Sequence, residues 1–363
     1  MSAAPGRPGQ ARAAGEADGT PVRLGAPRGT DGRFRNTEPF EPRGLADVLR
    51  WQWQARREQQ AAAQPTPTQP ADLDFIARNR GGALAPAATW LGHATVLAQF
   101  GGVNLLTDPH CSHRASPFTF SGPQRAQPPA IAPQDMPPID LVLVSHNHYD
   151  HLDVATVQAL ARQAGGPPLF VVPLGLKAWF ARRGIADVVE LDWWQTAQLR
   201  GVEVTLTPVR HWSSRTLGDR MASLWGGFAV LAPDLHLYFG GDTGYSPNNF
   251  IDTRAHFAER QSTASGGGFD LALLPIGAYE PRWFMAPQHV NPEESVRIHQ
   301  ELGAKRSLGI HWGTFKLTNE PLDEPPRKLA EMLQAAGLTP QDFCVTAIGE
   351  TLRLPPRIPK AIP

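Results

Sequence analysis

Residues 139–151 read Ile-Asp-Leu-Val-Leu-Val-Ser-His-Asn-His-Tyr-Asp-His. The run from Leu141 to Val144 is apolar and bounded by polar residues, the pattern of a short strand buried on both faces. It ends on four metal-ligand side chains: His146, His148, Asp150 and His151. Imidazole and carboxylate are the natural donors for zinc and its neighbours. Residues two apart at a strand end can point to one side, so His146 and His148 suit one ion. The loop that follows can turn Asp150 and His151 toward a second. A histidine-rich surface loop would not abut an apolar strand or carry its own carboxylate.

Two ions need more donors than this cluster holds. Three further candidates each follow an apolar run: His211 after VEVTLTPVR, Asp242 after LYFGG, and His311 after RSLGI. Gly240, Gly241 and Gly244 around Asp242 would let the backbone approach the site closely. Asp108, in LLTDP, suits the carboxylate to which a metal-bound imidazole donates its other N–H. His93, in WLGHATV, reads as a buried structural histidine rather than a ligand.

The wider chain fits an enzyme of ordinary globular type. Of 363 residues, 41% are hydrophobic and 19% charged, enough for a sizeable core. Thirty-four basic residues balance 34 acidic ones, which counts against a general nucleic-acid binder, since that normally needs a basic face. Two cysteines exclude a disulfide scaffold and a cysteine-only zinc site. No apolar run reaches the roughly 18–20 residues of a membrane helix. The N-terminus lacks the apolar core of a secretory signal, so the expected location is cytoplasmic. Attachment to a membrane surface needs only an exposed apolar patch and stays open.

Residues 1–36, rich in Gly, Ala, Pro and Arg, read as a disordered tail, and 37–85 as an N-terminal extension and linker packing on the core. Within it Leu45, Val48, Leu49 and Trp53 have amphipathic helical spacing, and QPTPTQP at 64–70 breaks the pattern as a linker or a stretch laid over a surface. Residues 86–355 alternate short apolar strands with helices. Asp153 is placed to cap one helix, and Asn291 before Pro292 another. Two sheets flanked by helices follow.

The order HxHxDH, later His, GGDTGY, late His resembles the metallo-β-lactamase superfamily. WLGHATVL, PPIDLVLVSHNHYDHLD, ELDWW, PIGAYEPRWFM, QHVNPEE and IHWGTF together resemble, more narrowly, the N-acyl-phosphatidylethanolamine-hydrolysing phospholipase D family. The likeness runs over roughly residues 86–350, and RFRNTEPF near the start shares it. It implies an α/β fold: an αββα four-layer sandwich of two mixed sheets flanked by helices, with a dinuclear site at the top of the sheets. It implies two Zn²⁺ per chain, one held by His146, His148 and His211, the other by Asp150, His151 and His311. Asp242 bridges them, as a carboxylate can across ions roughly 3.5–4 Å apart. In true β-lactamases of the superfamily a Cys often takes that position, so Asp242 speaks for phosphoester or lactone chemistry.

The implied reaction is hydrolysis of N-acyl-phosphatidylethanolamine to phosphatidic acid and an N-acylethanolamine by a metal-bridging hydroxide. His289 is the candidate for a catalytic group beside the phosphate, Arg282 for a bidentate phosphate contact, and Tyr149 and Gln288 for pocket lining. Trp51, Trp53, Trp283 and Phe284 are candidates for an apolar groove, against the simpler reading as core. The implied partners are a phospholipid, a membrane surface, a second copy of the chain, and no nucleic acid. A lactonase or small phosphodiester hydrolase on the same site is the alternative. A nuclease fits the charge balance poorly, and a non-catalytic metal-binding sensor fits the complete ligand set poorly.

Overall fold

The computed structural model describes residues 12–13, 25–40, 43–55, 63–262 and 266–358. Most of the expected N-terminal tail therefore lies outside the described residues.

One sheet is built from β1 (Ala87–Gly92), β2 (Thr95–Phe100), β3 (Val103–Thr107), β4 (Leu141–Leu143), β5 (Leu169–Pro173), β6 (Val188–Leu191) and β14 (Thr351–Arg353), in the order β14-β1-β2-β3-β4-β5-β6. The other holds β7 (Gln195–Leu199), β8 (Val202–Thr207), β9 (Gly227–Leu231), β10 (His236–Phe239), β11 (Leu271–Pro275), β12 (Ser307–Ile310) and β13 (Phe343–Cys344) side by side in chain order. The two-residue segment Arg12–Ala13 adds to its β7 edge. Both sheets are mixed: hairpins pair β1 to β3 and β7 to β10 antiparallel, while β3 to β6 and β10 to β13 run parallel.

Alternation along the strands makes the layers. In β2, Val96, Ala98 and Phe100 join the core shared with the second sheet, while Leu97 faces the outer layer. Leu141 and Leu143 of β4 point inward, and Val142 and Val144 outward. The outer face of the first sheet is covered by α2 (Leu73–Arg78), α3 (Val154–Leu160) and α4 (Lys177–Ala181), through Phe75, Val157 and Phe180 among others. On the second sheet lie α5 (Asn249–Phe257), α7 (Pro292–Leu302) and α8 (Glu324–Ala335), using Phe257, Ile298 and Leu329, with the short α6 (Arg282–Met285) between α5 and α7 along the chain. The architecture is the expected αββα sandwich.

Both expected caps form. The Asp153 carboxylate accepts from Ala155 N and from Thr156 Oγ1. Asn291 and Glu294 form a capping box, and Gly303 ends α7 at φ 61°.

The N-terminal region departs from expectation in two ways. Residues 25–36 were assigned to the tail, yet Phe34 is only 1% exposed and belongs to the central core, its N–H donating to Met221 O at 3.0 Å. An aromatic side chain in a Gly/Pro-rich stretch was enough to anchor it. Helix α1 (Leu45–Ala55) forms where its spacing predicted, but it docks by another face. Trp51 stacks on Phe284 at 5.0 Å and donates to Asn319 Oδ1 at 2.8 Å, while Leu49 and Trp53 are more than half exposed. Positions i and i+2 on a helix do not face each other, so burying Trp51 turns Leu49 and Trp53 outward. QPTPTQP is laid over the surface: Thr66 Oγ1 donates to Gly313 O at 2.6 Å, the Gln69 N–H donates to Ile348 O, and the Ile348 N–H to Pro67 O.

Candidate metal centre

Every predicted donor follows the C-terminal end of a strand, at one end of the sandwich. In open α/β sheets the chain turns there and leaves a crevice for ligands. His93 follows β1, Asp108 follows β3, the 145–151 loop follows β4, His211 follows β8, Asp242 follows β10, and His311 follows β12. Several of these turns are sharp. His93, Asp108 and His311 have φ of 53°, 30° and 61°, a left-handed conformation that non-glycine residues adopt at a cost. Gly241 and Gly244 allow the close approaches expected of them. A Cβ on Gly241 would come within 2.6 Å of the Ser145 side chain, and one on Gly244 within 2.5 Å of Pro287 O.

The side chains converge in two groups. In the first, His146 Nε2 lies 2.8 Å from His148 Nδ1, which lies 3.3 Å from His211 Nε2. In the second, His151 Nε2 is 3.1 Å from His311 Nε2, and Asp150 Oδ2 is 3.2 and 3.4 Å from the same two nitrogens. Asp242 reaches both: Oδ2 is 3.0 Å from His151 Nε2 and 3.8 and 4.0 Å from His211 and His146, while Oδ1 is 3.1 Å from His311. A tetrahedral zinc with bonds near 2.0–2.1 Å separates its donors by about 3.3 Å. The donor distances, 2.8–4.0 Å, bracket this spacing, and the ligand atoms of each group lie close enough to share one ion. The residues present therefore fit metal ions, in the two groups the sequence indicated.

Their supports are in place. Asp108 accepts from His151 Nδ1 at 2.6 Å and from both the N–H and the hydroxyl of Ser145. The Ser145 hydroxyl also meets His146 Nδ1 at 2.9 Å. His211 Nδ1 donates to Gln288 O at 2.9 Å. Asn36 clamps the His211 backbone, accepting from its N–H and donating to its C=O at 3.0 and 2.9 Å.

Charge divides the groups. Burial pushes His146 and His148 well below the ordinary histidine range and His211 down to about 4, so these imidazoles are neutral. Burial acts on His151 and His311 too, but Asp242 and Asp150 outweigh it, lifting His151 well above its ordinary value and His311 to about 9. Burial would likewise raise Asp242, yet His151 and His311 hold it well below the carboxylate range.

The remaining candidates divide. His289 stands at the centre, its Nδ1 buried, without a partner, and 3.8 Å from Asp242 Oδ2. Burial lowers its pKa to about 3. Tyr149 flanks the centre, held by Arg215: its hydroxyl donates to Arg215 O at 2.9 Å and its ring lies 4.0 Å from the guanidinium. Gln288 serves through its carbonyl, not through its amide, which turns to Met285 Sδ. Arg282 departs from expectation. Its guanidinium donates to His289 O at 2.8 Å and Glu294 at 2.7 Å, so it fixes the His289 turn to α7 instead of presenting a fork to a ligand.

The structure also adds His93, read from sequence as structural. Its Nε2 is 3.0 Å from Asp150 Oδ2, within a group of possible donors that includes His151 and His311. It shares its place at a strand end with the donors, but a strand-end histidine alone does not reveal which carboxylate it meets. Beside the first group, Trp212 packs edge-on against His148 at 4.5 Å and carries the Arg220 guanidinium at 4.2 Å. Arg220 lines a cavity of about 790 Å³ with Arg33, Arg35, Phe40, Leu217 and Met221, among others. No metal donor lines that cavity.

Comparison with known proteins agrees with the geometry. Residues 103–312 match the beta-lactamase superfamily domain. The chain is 42% identical to N-acyl-phosphatidylethanolamine-hydrolyzing phospholipase D 1 of Caenorhabditis elegans, over 72% of this chain and 74% of that one. It is 35% identical to the mitochondrial enzyme of the same name from Saccharomyces cerevisiae, over 74% of this chain and 56% of that one. Among solved structures, an isothiocyanate hydrolase from Delia radicum gut bacteria superposes with a TM-score of 0.58 at 19% identity, covering 74% of this chain and 99% of that one, which bears on the fold alone. No helix among the described residues is long and apolar enough to cross a membrane. A donor set of this geometry on this fold, with relatives of this identity, makes the chain a metal-dependent hydrolase of the metallo-β-lactamase superfamily, in the family of the N-acyl-phosphatidylethanolamine-hydrolysing phospholipases D.

Proposed function

We propose that this protein is a dinuclear zinc phosphodiesterase of phospholipase D type, hydrolysing N-acyl-phosphatidylethanolamine to phosphatidic acid and an N-acylethanolamine. The observation that carries the reading is Asp242, one carboxylate whose oxygens lie among both histidine groups with neutral His289 beside it. Zinc ions at the two groups supply Lewis-acid charge at the phosphate and a water acidified toward neutrality. The chain's own part is positioning. His146, His148 and His211 keep their lone pairs free of protons at neutral pH. Asp242 fixes the two positions relative to each other. His289, its Nδ1 unpartnered, contacts the phosphoryl or leaving-group oxygen; Arg282 keeps it there through the His289 carbonyl.

Lipid as substrate rests on the family and on the molecule's surface. The cavity joins apolar Phe40, Leu217 and Met221 to Arg33, Arg35 and Arg220, with Asp31 and Glu38 on the same lining and Asp31 paired to Arg35 at 2.9 Å, so it offers an amphiphile an apolar and charge-mixed surface. Exposed Leu49 on α1 and fully exposed Leu217 support peripheral contact with a cytoplasmic membrane face. The test is mass spectrometry of products from zinc-loaded protein given N-acyl-phosphatidylethanolamine in mixed micelles, with Asp242→Ala as control. Release of N-acylethanolamine and phosphatidic acid, absent in the control, is expected. No release from protein holding two zinc ions sinks the lipid assignment and moves the search to lactones and small phosphodiesters.

A further inference from the structure

We infer that His93 is a positioning residue for the second metal position: it holds Asp150 by a hydrogen bond and thereby sets how tightly that position binds its ion. The inference rests on the two-metal reading above.

Asp150, His151, His311 and Asp242 already bring four protein donors to this position, enough for the four-coordinate geometry zinc prefers. His93 is therefore surplus as a ligand. Its Nε2 instead faces Asp150 Oδ2 at 3.0 Å. A carboxylate ligand is normally held by a hydrogen bond that fixes its orientation. Among the described residues the polar neighbours of the Asp150 carboxylate are three imidazoles, and His151 and His311 are themselves donors to the position. His93 is the one left to orient it.

The residue is built in as a fixture would be. Its N–H donates to Thr314 Oγ1 at 2.7 Å, and its carbonyl accepts from Trp90 Nε1 at 2.8 Å and His311 N at 3.0 Å. Phe315 meets its ring edge-on at 5.1 Å, and the His311 ring lies 4.1 Å away. Its backbone is left-handed, at φ 53°. The carbonyl bond from His311 N ties His93 to a donor of the same position, so orientation of Asp150 and of His311 is shared between two strand ends.

Two substitutions test this. In His93→Gln the amide nitrogen stands about where Nε2 stood and can still donate to Asp150. In His93→Asn it is a bond short, and Asn tolerates left-handed backbone. Zinc and cobalt titrations against a competing chelator read each position's affinity without recourse to turnover, and metal content follows by mass spectrometry. We expect His93→Asn to weaken the second ion by about 10–100-fold, the usual effect of losing such a support, with the first ion unchanged and serving as the folding control. His93→Gln retains most of the affinity. Wild-type affinity at both positions in His93→Asn overturns the inference, as does a Gln variant as weak as the Asn variant. Wild-type protein that binds fewer than two ions instead overturns the dinuclear reading itself.

Discussion

The two donor groups use the same side-chain type in opposite electrostatic settings. The first is three imidazoles with no carboxylate of their own, and burial, helped by the neighbouring histidines, outweighs the pull of Asp242: His146, His148 and His211 are neutral. The second is ringed by Asp150, Asp108 and Asp242, and there burial loses, so that His151 and His311 hold protons more firmly than free histidine. The outer nitrogens differ as well. His151 leans on a carboxylate, whereas His211 leans on a backbone carbonyl and His148 Nε2 has no partner. The comparison teaches that the first group is set by burial and the second by charge, with Asp242, among the described residues, the one carboxylate that reaches both.

The harshest way to break the comparison is to remove what the two positions share. Asp242→Ala takes a donor from each and leaves His151 and His311 without their strongest counter-charge. We expect metal content, measured by inductively coupled plasma mass spectrometry, to fall at both positions together, and turnover to fall to background. Loss of one ion with firm retention of the other would mean that Asp242 belongs to one position only.

The contrast in charge also fixes the pH response of the metal-free protein. His311, lifted to about 9, contributes stability that is complete below the unfolded histidine value of roughly 6.5 and is lost as pH rises through about 9. Its size is about 3 kcal/mol, since one pKa unit is worth about 1.4 kcal/mol. His211, lowered to about 4, acts in the other direction: the unfolded chain takes up its proton first, so stability falls as pH drops from about 6.5 toward 4. Thermal unfolding in chelator should therefore peak near pH 6.5, and His311→Asn should reduce the alkaline limb to the share that His151 carries while leaving the acidic one. A limb that survives that substitution in full would remove His311 as its cause.

Much of this was legible in the sequence, for identifiable reasons. The strand-end rule picked out seven side chains that the fold brings together, because each apolar run is short and each of these residues follows close on its end. Asp108 was legible because a carboxylate is a common partner for the outer nitrogen of a metal-binding histidine. His93 was not, because an isolated histidine carries no spacing signal and its partner, Asp150, lies 57 positions away. Arg282 was misread for a related reason. A guanidinium near a phosphate site suggests a phosphate contact, and nothing local reveals that Glu294, 12 residues on, and the His289 carbonyl have taken it. Residues 25–36 looked like tail by composition, since Phe34 and Asn36 act through contacts with segments more than 170 residues away.

That segment sharpens the contrast at smaller scale. Asn36→Ala leaves both the N–H and the C=O of His211 without their partner, and an unsatisfied buried polar group costs about 1–3 kcal/mol. We expect about 2 kcal/mol of lost stability by denaturant unfolding, together with weaker binding of the first ion alone. The second position takes nothing from residues 25–40, so a matching loss there would show that the two positions cannot be treated apart.

The smallest effect on stability separates the two sides of α1. Trp51 is fastened to Phe284 and Asn319, and through Phe284 to the helix that leads to His289. Leu49, 57% exposed on the other side, touches the fold little. Surface substitutions of that kind usually change stability by less than about 0.5 kcal/mol, so Leu49→Glu should unfold with the wild-type curve and bind both ions. If the outer side of α1 meets lipid, the same substitution removes a side chain whose full burial is worth about 1.5–3 kcal/mol and sets a charge against an anionic surface. Cosedimentation with vesicles containing phosphatidic acid should then fall roughly tenfold or more, since 1.4 kcal/mol is about a factor of ten. Hydrolysis of substrate dispersed in micelles should change far less than hydrolysis in vesicles. Equal activity on both, with unchanged sedimentation, would leave α1 as a brace for the centre and remove it from the membrane face.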